Sequence, residues 1–389
     1  MPSKPVNPRG RPIIFYFLAL ATVAPAAFAA ENSVPAAPRF VGMQSCGSAG
    51  CHGGAGEMRH QVDLWTRLDF HSKSAHTLTS ARSEQIARAA GIADATQSAR
   101  CTTCHAPFHE VPAKLFATEI KPSVGVSCEN CHGPAERWLL SHTRKDFSHA
   151  EKVTAGLRDL RDLNVRANAC VACHQTLETP LTTAGHPELI FELDGQSVTQ
   201  PRHWKERGQY HGGQAWLVGQ ATALREMSWQ LSGEPANAAL AARWSALVWL
   251  AQKLDGVDSA LPSPKTLVTV ASADNAKRAQ QFADTLATES VKLEWSAELS
   301  LKLLQKLAAT HPEFREPAAT PLLHARRAER LVLALDRLGS SLNRAGLDRE
   351  LKELFTLAQS VPDFDSAKFA DALEKFARSA GGAASSANR

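Results

Sequence analysis

Two hydropathy regimes meet in this chain near residue 212. Downstream, apolar residues recur with the 3.6-residue period of a helix face. The stripes are Leu217, Ala221, Leu224 and Leu231, then Leu240, Trp244, Leu247, Val248 and Leu254, then Leu322, Ala325, Ala328, Leu331, Leu335 and Leu338. Helix stop signals break them at Gly233-Glu-Pro235, Leu261-Pro-Ser-Pro264, His311-Pro312 and Val361-Pro362. The pattern predicts six or seven helices bundled over residues 212–380, with a Gly- and Ser-containing tail, 381–389, expected to be disordered. Trp216, Trp229, Trp244, Trp249 and Trp295 read as packing residues of that bundle. Upstream, over residues 31–211, long periodic runs are scarce and the pattern predicts loops and short helices. The expected fold class is mainly α, a loop-rich domain followed by an all-α bundle.

Residues 1–30 carry a third pattern. Lys4, Arg9 and Arg11 precede an apolar run from Ile13 to Ala24, and Ala27-Phe28-Ala29 resembles a small-residue cleavage site. This is the layout of a secretory signal peptide. The run is shorter than the roughly 20 residues a membrane span prefers, and Pro25 interrupts it, which argues against an uncleaved anchor. The expectation is a Sec-type export signal, a periplasmic product and no membrane span after cleavage. A formal net charge of +4 with 21% charged residues implies no nucleic-acid partner.

The upstream region owes its character to cysteine and histidine. All eight cysteines fall into four units: Cys46-Gly-Ser-Ala-Gly-Cys51-His52, Cys101-Thr-Thr-Cys104-His105, Cys128-Glu-Asn-Cys131-His132 and Cys170-Val-Ala-Cys173-His174. The last three are C-x-x-C-H, the spacing of c-type haem attachment. Thiols at i and i+3 share one helical turn, so each can add to one vinyl group while the next histidine reaches the iron. The sequence therefore predicts four covalently bound haem c groups with His52, His105, His132 and His174 as proximal ligands. In the first unit two extra residues must bulge, and Gly47 and Gly50 offer the backbone freedom for it.

Other uses of the cysteines fit less well. An exported chain can oxidise its thiols to disulfides, but that leaves unexplained the histidine after every second cysteine. A zinc ribbon on Cys101, Cys104, Cys128 and Cys131 has plausible spacing, yet it also ignores those histidines.

The sixth iron position separates an electron carrier from an enzyme. Candidate second ligands are His60, His71, His76, His109, His142, His149, His186, His203 and His211; axial methionine is limited to Met43 and Met58. The segment Ala135 to His142 reads as helix, and ten helical residues from His132 rise about 15 Å. Two ligands of one iron stand about 4 Å apart, at roughly 2 Å per bond. A continuous helix would thus send His142 to a neighbouring haem and interleave the ligation.

The string Gly125-Val-Ser-Cys-Glu-Asn-Cys-His-Gly-Pro-Ala135, with His142 following, resembles a signature of the cytochrome c-554 family, which includes a tetrahaem acceptor of electrons from hydroxylamine oxidoreductase. Trp65 with Ser74-Ala75-His76-Thr77 resembles that family's distal-histidine segment, and the likeness covers about residues 41–175. It implies His142 as distal ligand of haem 1 and His76 of haem 3. Gly185-His186-Pro187 and Pro201-Arg-His-Trp204 resemble segments of multihaem relatives. They make His186 the expected distal ligand of haem 4, with His203 as the alternative there or on haem 2. Haem 2 of the family can lack a distal ligand, and His203, His211 or nothing stays open for it here. His71, His109 and His149 are expected at haem edges or propionates. Hydroxylamine oxidoreductase itself resembles an octahaem scaffold with a tyrosine cross-link, whereas this chain has four motifs and, past the export signal, one tyrosine, Tyr210.

The leading functional expectation is a periplasmic carrier passing electrons between redox partner proteins, its potentials tuned by ligand and exposure. The helical domain would then dock a partner or mediate oligomerisation. The alternative is an enzyme reducing or oxidising a small nitrogen or sulfur oxide at a five-coordinate haem 2, with His109 and Glu110 relaying protons. A haem-based sensor would need an output module, and none is evident.

Overall fold

The computed structural model describes residues 37–382, apart from residues 58, 122, 207–209, 318, 343–344 and 361–362. The expected export signal, the break at Val361-Pro362, Met58 and most of the expected tail lie outside the described residues. The chain from Pro38 onward is one compact unit. It is mainly α, 62% helical with no strand among the described residues; the β-type contact that occurs is an isolated bridge between Phe40 and Phe116.

Among the described residues, seven α-helices follow residue 211: Gly212–Gly233, Ala238–Gln252, Ala273–Lys292, Ala297–Ala308, Pro321–Ser341, Asp348–Ala358 and Ser366–Gly382. Side-chain caps start several of them where a polar residue precedes the apolar stripe. Asn237, Ser272, Ser296 and Thr320 each accept a backbone N–H from the first turn, satisfying donors that a helix start leaves open. Helix Gly212–Gly233 is the centre of the array and packs along Ala273–Lys292. It is buried on nearly every side because it also meets Ala238–Gln252, Pro321–Ser341 and Leu163–His174.

Three indoles of the array find an acceptor for their N–H, whereas the buried Trp216 Nε1 has none among the described residues. Trp244 donates to Ser228 Oγ (2.9 Å), Trp295 to Ser300 Oγ (2.8 Å) and Trp249 to Glu313 Oε2 (2.7 Å). Trp229 departs from its expected packing role, being 61% exposed. It lies beside the buried Ser228 on a helix whose other faces are already covered.

Upstream, short helices alternate with turns. The three strict motifs each close a helix: Ala99–His105, Cys128–His132 and Leu163–His174. In each, the histidine is the last helical residue. The fourth-motif helix enters the main apolar core, where Leu163, Ala167 and Val171 join Leu193, Trp216 and Leu224 in one cluster. The rest of the upstream region has only small apolar clusters, one around Leu78, Ile92 and Leu181 and another around Val41, Ala135 and Trp138.

Candidate haem-binding site

Between these short helices lies a cavity of about 1970 Å³. A pocket for one small molecule spans about 300–1,000 Å³, so this space exceeds a single ligand. Every motif cysteine except Cys51 lines it, as do the four motif histidines. Its rim and walls also carry Arg82, Arg100, Lys152, Arg158 and Arg161, cations that suit carboxylate groups on a bound molecule.

The third motif is the best-anchored part of the wall. Ser127 and Asn130 form a capping box around Cys128–His132. Glu129 turns inward between the two cysteines and is 2% exposed. Its carboxylate accepts backbone N–H groups from Val41 (3.0 Å), Gly42 (2.8 Å) and Ala135 (2.8 Å), tying three segments together. Gly133 has φ of 83°, and a Cβ there would stand 2.5 Å from Gly156 O. Gly125 has no room for a Cβ either, with His71 O at 2.4 Å. The string that carries the family resemblance is thus occupied by residues whose backbone approaches leave little choice.

The first motif corrects one expectation. Gly47 and Gly50 do not take left-handed backbone; at Gly50 a Cβ would meet open space. The loop instead closes on Gly53 and Gly54, where a Cβ would stand 2.0 Å from Gly47 O and 2.1 Å from Ala49 O. Close backbone approach, rather than unusual φ, is the constraint. The expected helix from Ala135 to His142 is likewise a run of turns ending in the 3-10 helix Ser141–Thr143. Pro134 and the tight turn at Gly133 start that run, and Leu139 and His142 N–H groups still bond back to Ala135 and Trp138.

Each motif histidine faces a second imidazole across the cavity. Ring centroids are 6.1 Å apart for His52 and His142, 6.4 Å for His105 and His186, 6.3 Å for His132 and His203, and 6.0 Å for His174 and His71. A metal between two such rings needs about 4 Å between nitrogens, at roughly 2 Å per bond. A five-membered ring of bonds near 1.33 Å adds about 1.1 Å on each side. The sum, about 6.2 Å, matches all four separations. The residues present therefore fit four bis-imidazole sites. The first pair is nearly parallel, at 24°, while the others cross at 89°, 72° and 81°.

Hydrogen bonds leave the outer ring nitrogen free. His52 Nδ1 meets Gln61 Oε1 (3.0 Å), His105 Nδ1 meets Thr77 Oγ1 (2.9 Å), and His186 Nδ1 meets the Pro187 carbonyl (2.9 Å). His203 Nδ1 donates to Pro201 O at 3.2 Å and His142 Nδ1 to Leu139 O. His71 Nδ1 donates to a carboxylate, Asp69 Oδ1, at 2.9 Å. A partner on Nδ1 fixes the tautomer that presents Nε2 to a metal. Burial favours the neutral form of three motif imidazoles, pushing His132 down to about 4 and lowering His105 and His174 as well. Burial works against ionisation of Asp69, but hydrogen bonds from the His71 side chain, the His71 backbone and Gln200 outweigh it and hold that carboxyl down to about 2.

The second imidazoles differ from several expectations. His76 is exposed and does not line the cavity; the ring opposite His132 is His203. His186 faces His105 of the second motif rather than His174 of the fourth. His71, expected at a haem edge, is the ring opposite His174. The reason in each case is long-range: the 179–187 turn folds back to the second motif, where Leu181 packs with Leu78 and Ile92. His71 rather than His76 points inward because Ser74 Oγ ties that turn to His71 O (2.9 Å) and His105 O (2.8 Å). His109 and His149 pair with Glu110 and Asp159, and His60 Nδ1 bonds to Gly56 O.

The motifs adjoin one another in a definite order. The Cys46 and Cys128 thiols lie close enough to shift each other's ionisation, as do those of Cys104 and Cys173, and Cys131 feels the charge of Cys170. The row is first, third, fourth, second.

Thiol pairs beside imidazoles, with a second imidazole opposite, suit covalent haem c and define a c-type cytochrome, a protein of electron transport. Residues 45–133 match the family described as cytochrome c554 and c-prime. Cytochrome c-554 of Nitrosomonas europaea is 26% identical over 205 residues, covering 46% of this chain and 83% of that protein. The likeness to cytochrome c-554 thus falls on the motif-bearing part of the chain. No solved structure matches the chain. Among the described residues no helix is long and apolar enough to cross a membrane.

Proposed function

We propose that this chain is a tetrahaem electron carrier of the periplasm, exported by residues 1–30, with a haem domain over 31–211 and a helical domain over 212–380. Haem c supplies reversible one-electron chemistry at iron. Cys46 and Cys51, Cys101 and Cys104, Cys128 and Cys131, and Cys170 and Cys173 attach the four groups. His52 and His142, His105 and His186, His132 and His203, and His174 and His71 hold the irons.

The observation that carries this reading is the four facing imidazole pairs at one spacing around one cavity. Two protein ligands on an iron leave no position for a substrate, so the arrangement favours a carrier over an oxide reductase at the second site. Burial removes water from around the rings, and the Nδ1 partners hold them in place, which limits rearrangement when charge changes. Neighbouring attachment points in the order first, third, fourth, second set a row along which electrons can pass to redox partner proteins.

Mass spectrometry of the purified protein tests the count, with four haem additions expected. Electron paramagnetic resonance of the oxidised protein, with and without cyanide or nitric oxide, tests the ligation. All four irons are expected to be low-spin and inert to both ligands. A high-spin centre that binds either one would return the second site to the enzyme reading.

A further inference from the structure

Six imidazoles of the four facing pairs have a described partner on Nδ1. For five it is neutral: the Gln61 amide, the Thr77 hydroxyl, or the carbonyls of Leu139, Pro187 and Pro201. For His71 it is the Asp69 carboxylate, whose side chain is 4% exposed.

Asp69 is held from both sides. Oδ1 accepts the ring N–H of His71 at 2.9 Å and its backbone N–H at 3.0 Å, while Oδ2 accepts Gln200 Nε2 at 3.1 Å. Gln200 arrives from far along the chain, three residues before His203, so the contact is tertiary and not only a helix cap. A buried anion on the far nitrogen draws the proton away from the ring and makes the nitrogen facing the metal a stronger donor. A stronger donor stabilises ferric over ferrous iron and lowers the reduction potential, one of the levers a protein has over haem.

Resting on the pairing of His71 with His174, we propose that Asp69 is a positioning and tuning residue that lowers the potential of the haem attached at Cys170 and Cys173, leaving the other three on neutral partners. Gln200 moderates it by sharing the carboxylate charge. In the row of motifs the fourth lies inside, so the tuned centre is one that electrons must pass rather than an end where they dock.

The test is spectroelectrochemical titration of the four-haem protein together with its electron paramagnetic resonance spectrum. Asp69→Asn keeps an acceptor oxygen for the ring and removes the charge. One midpoint of the four is expected to rise, the low-spin signal of that same haem to shift, and the other three to stay. Gln200→Leu returns the whole carboxylate charge to His71, and the same midpoint is expected to fall. Opposite movement of one centre is not what a loosened fold produces. If Asp69→Asn does not yield folded protein, the Gln200→Leu result decides alone. Midpoints that stay in place, or that move the same way in both variants, overturn the role of Asp69. His71→Met separates this from the ligand scheme: if it alters no haem signal, the pairing fails, whereas a response to His71→Met without one to Asp69→Asn sinks the tuning role alone.

Discussion

The region before residue 207 and the helical array after residue 211 solve the problem of an interior in opposite ways. The array fills its interior with its own side chains. Trp244, Leu303, Leu335 and Phe376 are fully buried in a single apolar cluster. The motif region has small apolar clusters around a large cavity, and polar devices hold its walls: capping boxes, the inward Glu129 and the Asp69–Gln200 bond. The array can therefore stand without a ligand, while the motif region is organised around groups that must be added to it.

The largest break in that comparison should come from withholding a haem. Cys128→Ala with Cys131→Ala removes the attachment at the third motif, which adjoins the first and the fourth. The motif region is expected to become open to protease while residues 212–382 keep their helical circular dichroism. Equal digestion of the two regions would erase the distinction.

Next in size is the array's own core. Trp244→Ala removes a fully buried indole and its bond to Ser228, and should cost about 3–5 kcal/mol. Denaturant midpoints would report it, with the low-spin visible spectrum unchanged before unfolding.

The seam between the regions gives a smaller, pH-dependent effect. Glu192 caps Leu193–Thr199 by accepting the N–H groups of Asp194 (2.9 Å) and Gly195 (2.6 Å). Burial, reinforced by the Asp194 charge, pushes its carboxyl up to about 7 despite the backbone N–H groups and Arg337. The folded state thus holds its proton more tightly than the unfolded chain does. The resulting stability is fully present below the unfolded pKa, about 4.3, and is lost as pH rises through about 7. Going from pH 4.5 to 8, this group should remove up to about 3 kcal/mol, and Glu192→Gln should flatten the slope in a series of denaturant melts.

The smallest effect belongs to Trp229. It shares a helix with buried residues but is 61% exposed, so Trp229→Ala should change stability by no more than about 0.5 kcal/mol. A larger loss in the same melts would mean that this face is covered in solution.

These differences explain how legible each region is from residues alone. Helical periodicity is a property of every few residues, so the stripes after residue 216 predict the array and its breaks at Gly233-Glu-Pro235, Leu261-Pro-Ser-Pro264 and His311-Pro312, though not the one at 293–296. The outward turns of Trp229 and of the stripe residue Leu322 escape it, because periodicity says which residues share a face and not which face is already occupied. In the motif region, Ser127, Glu129 and Gly133 carry a readable string, yet the inward aim of Glu129 depends on three backbone segments that meet there. His71 could have been singled out by Asp69 two residues earlier, since a carboxylate so placed often backs a ligating imidazole.

The sequence by itself determined the cofactor class and the four cysteine–cysteine–histidine units that suit it. Those features are local, because thiols one turn apart and a histidine beside them are set by covalent spacing. It also determined that a helical array would follow. Only the tertiary structure decided which second histidine stands opposite each first one. His71 and His76 lie within two turns of each other, and His186 and His203 both follow the fourth motif, so spacing ranks none of them. The choice falls to distant contacts: Leu181 against Ile92, Ser74 against His105, and Gln200 against Asp69. Each joins segments far apart in the chain, and only folding brings them within reach.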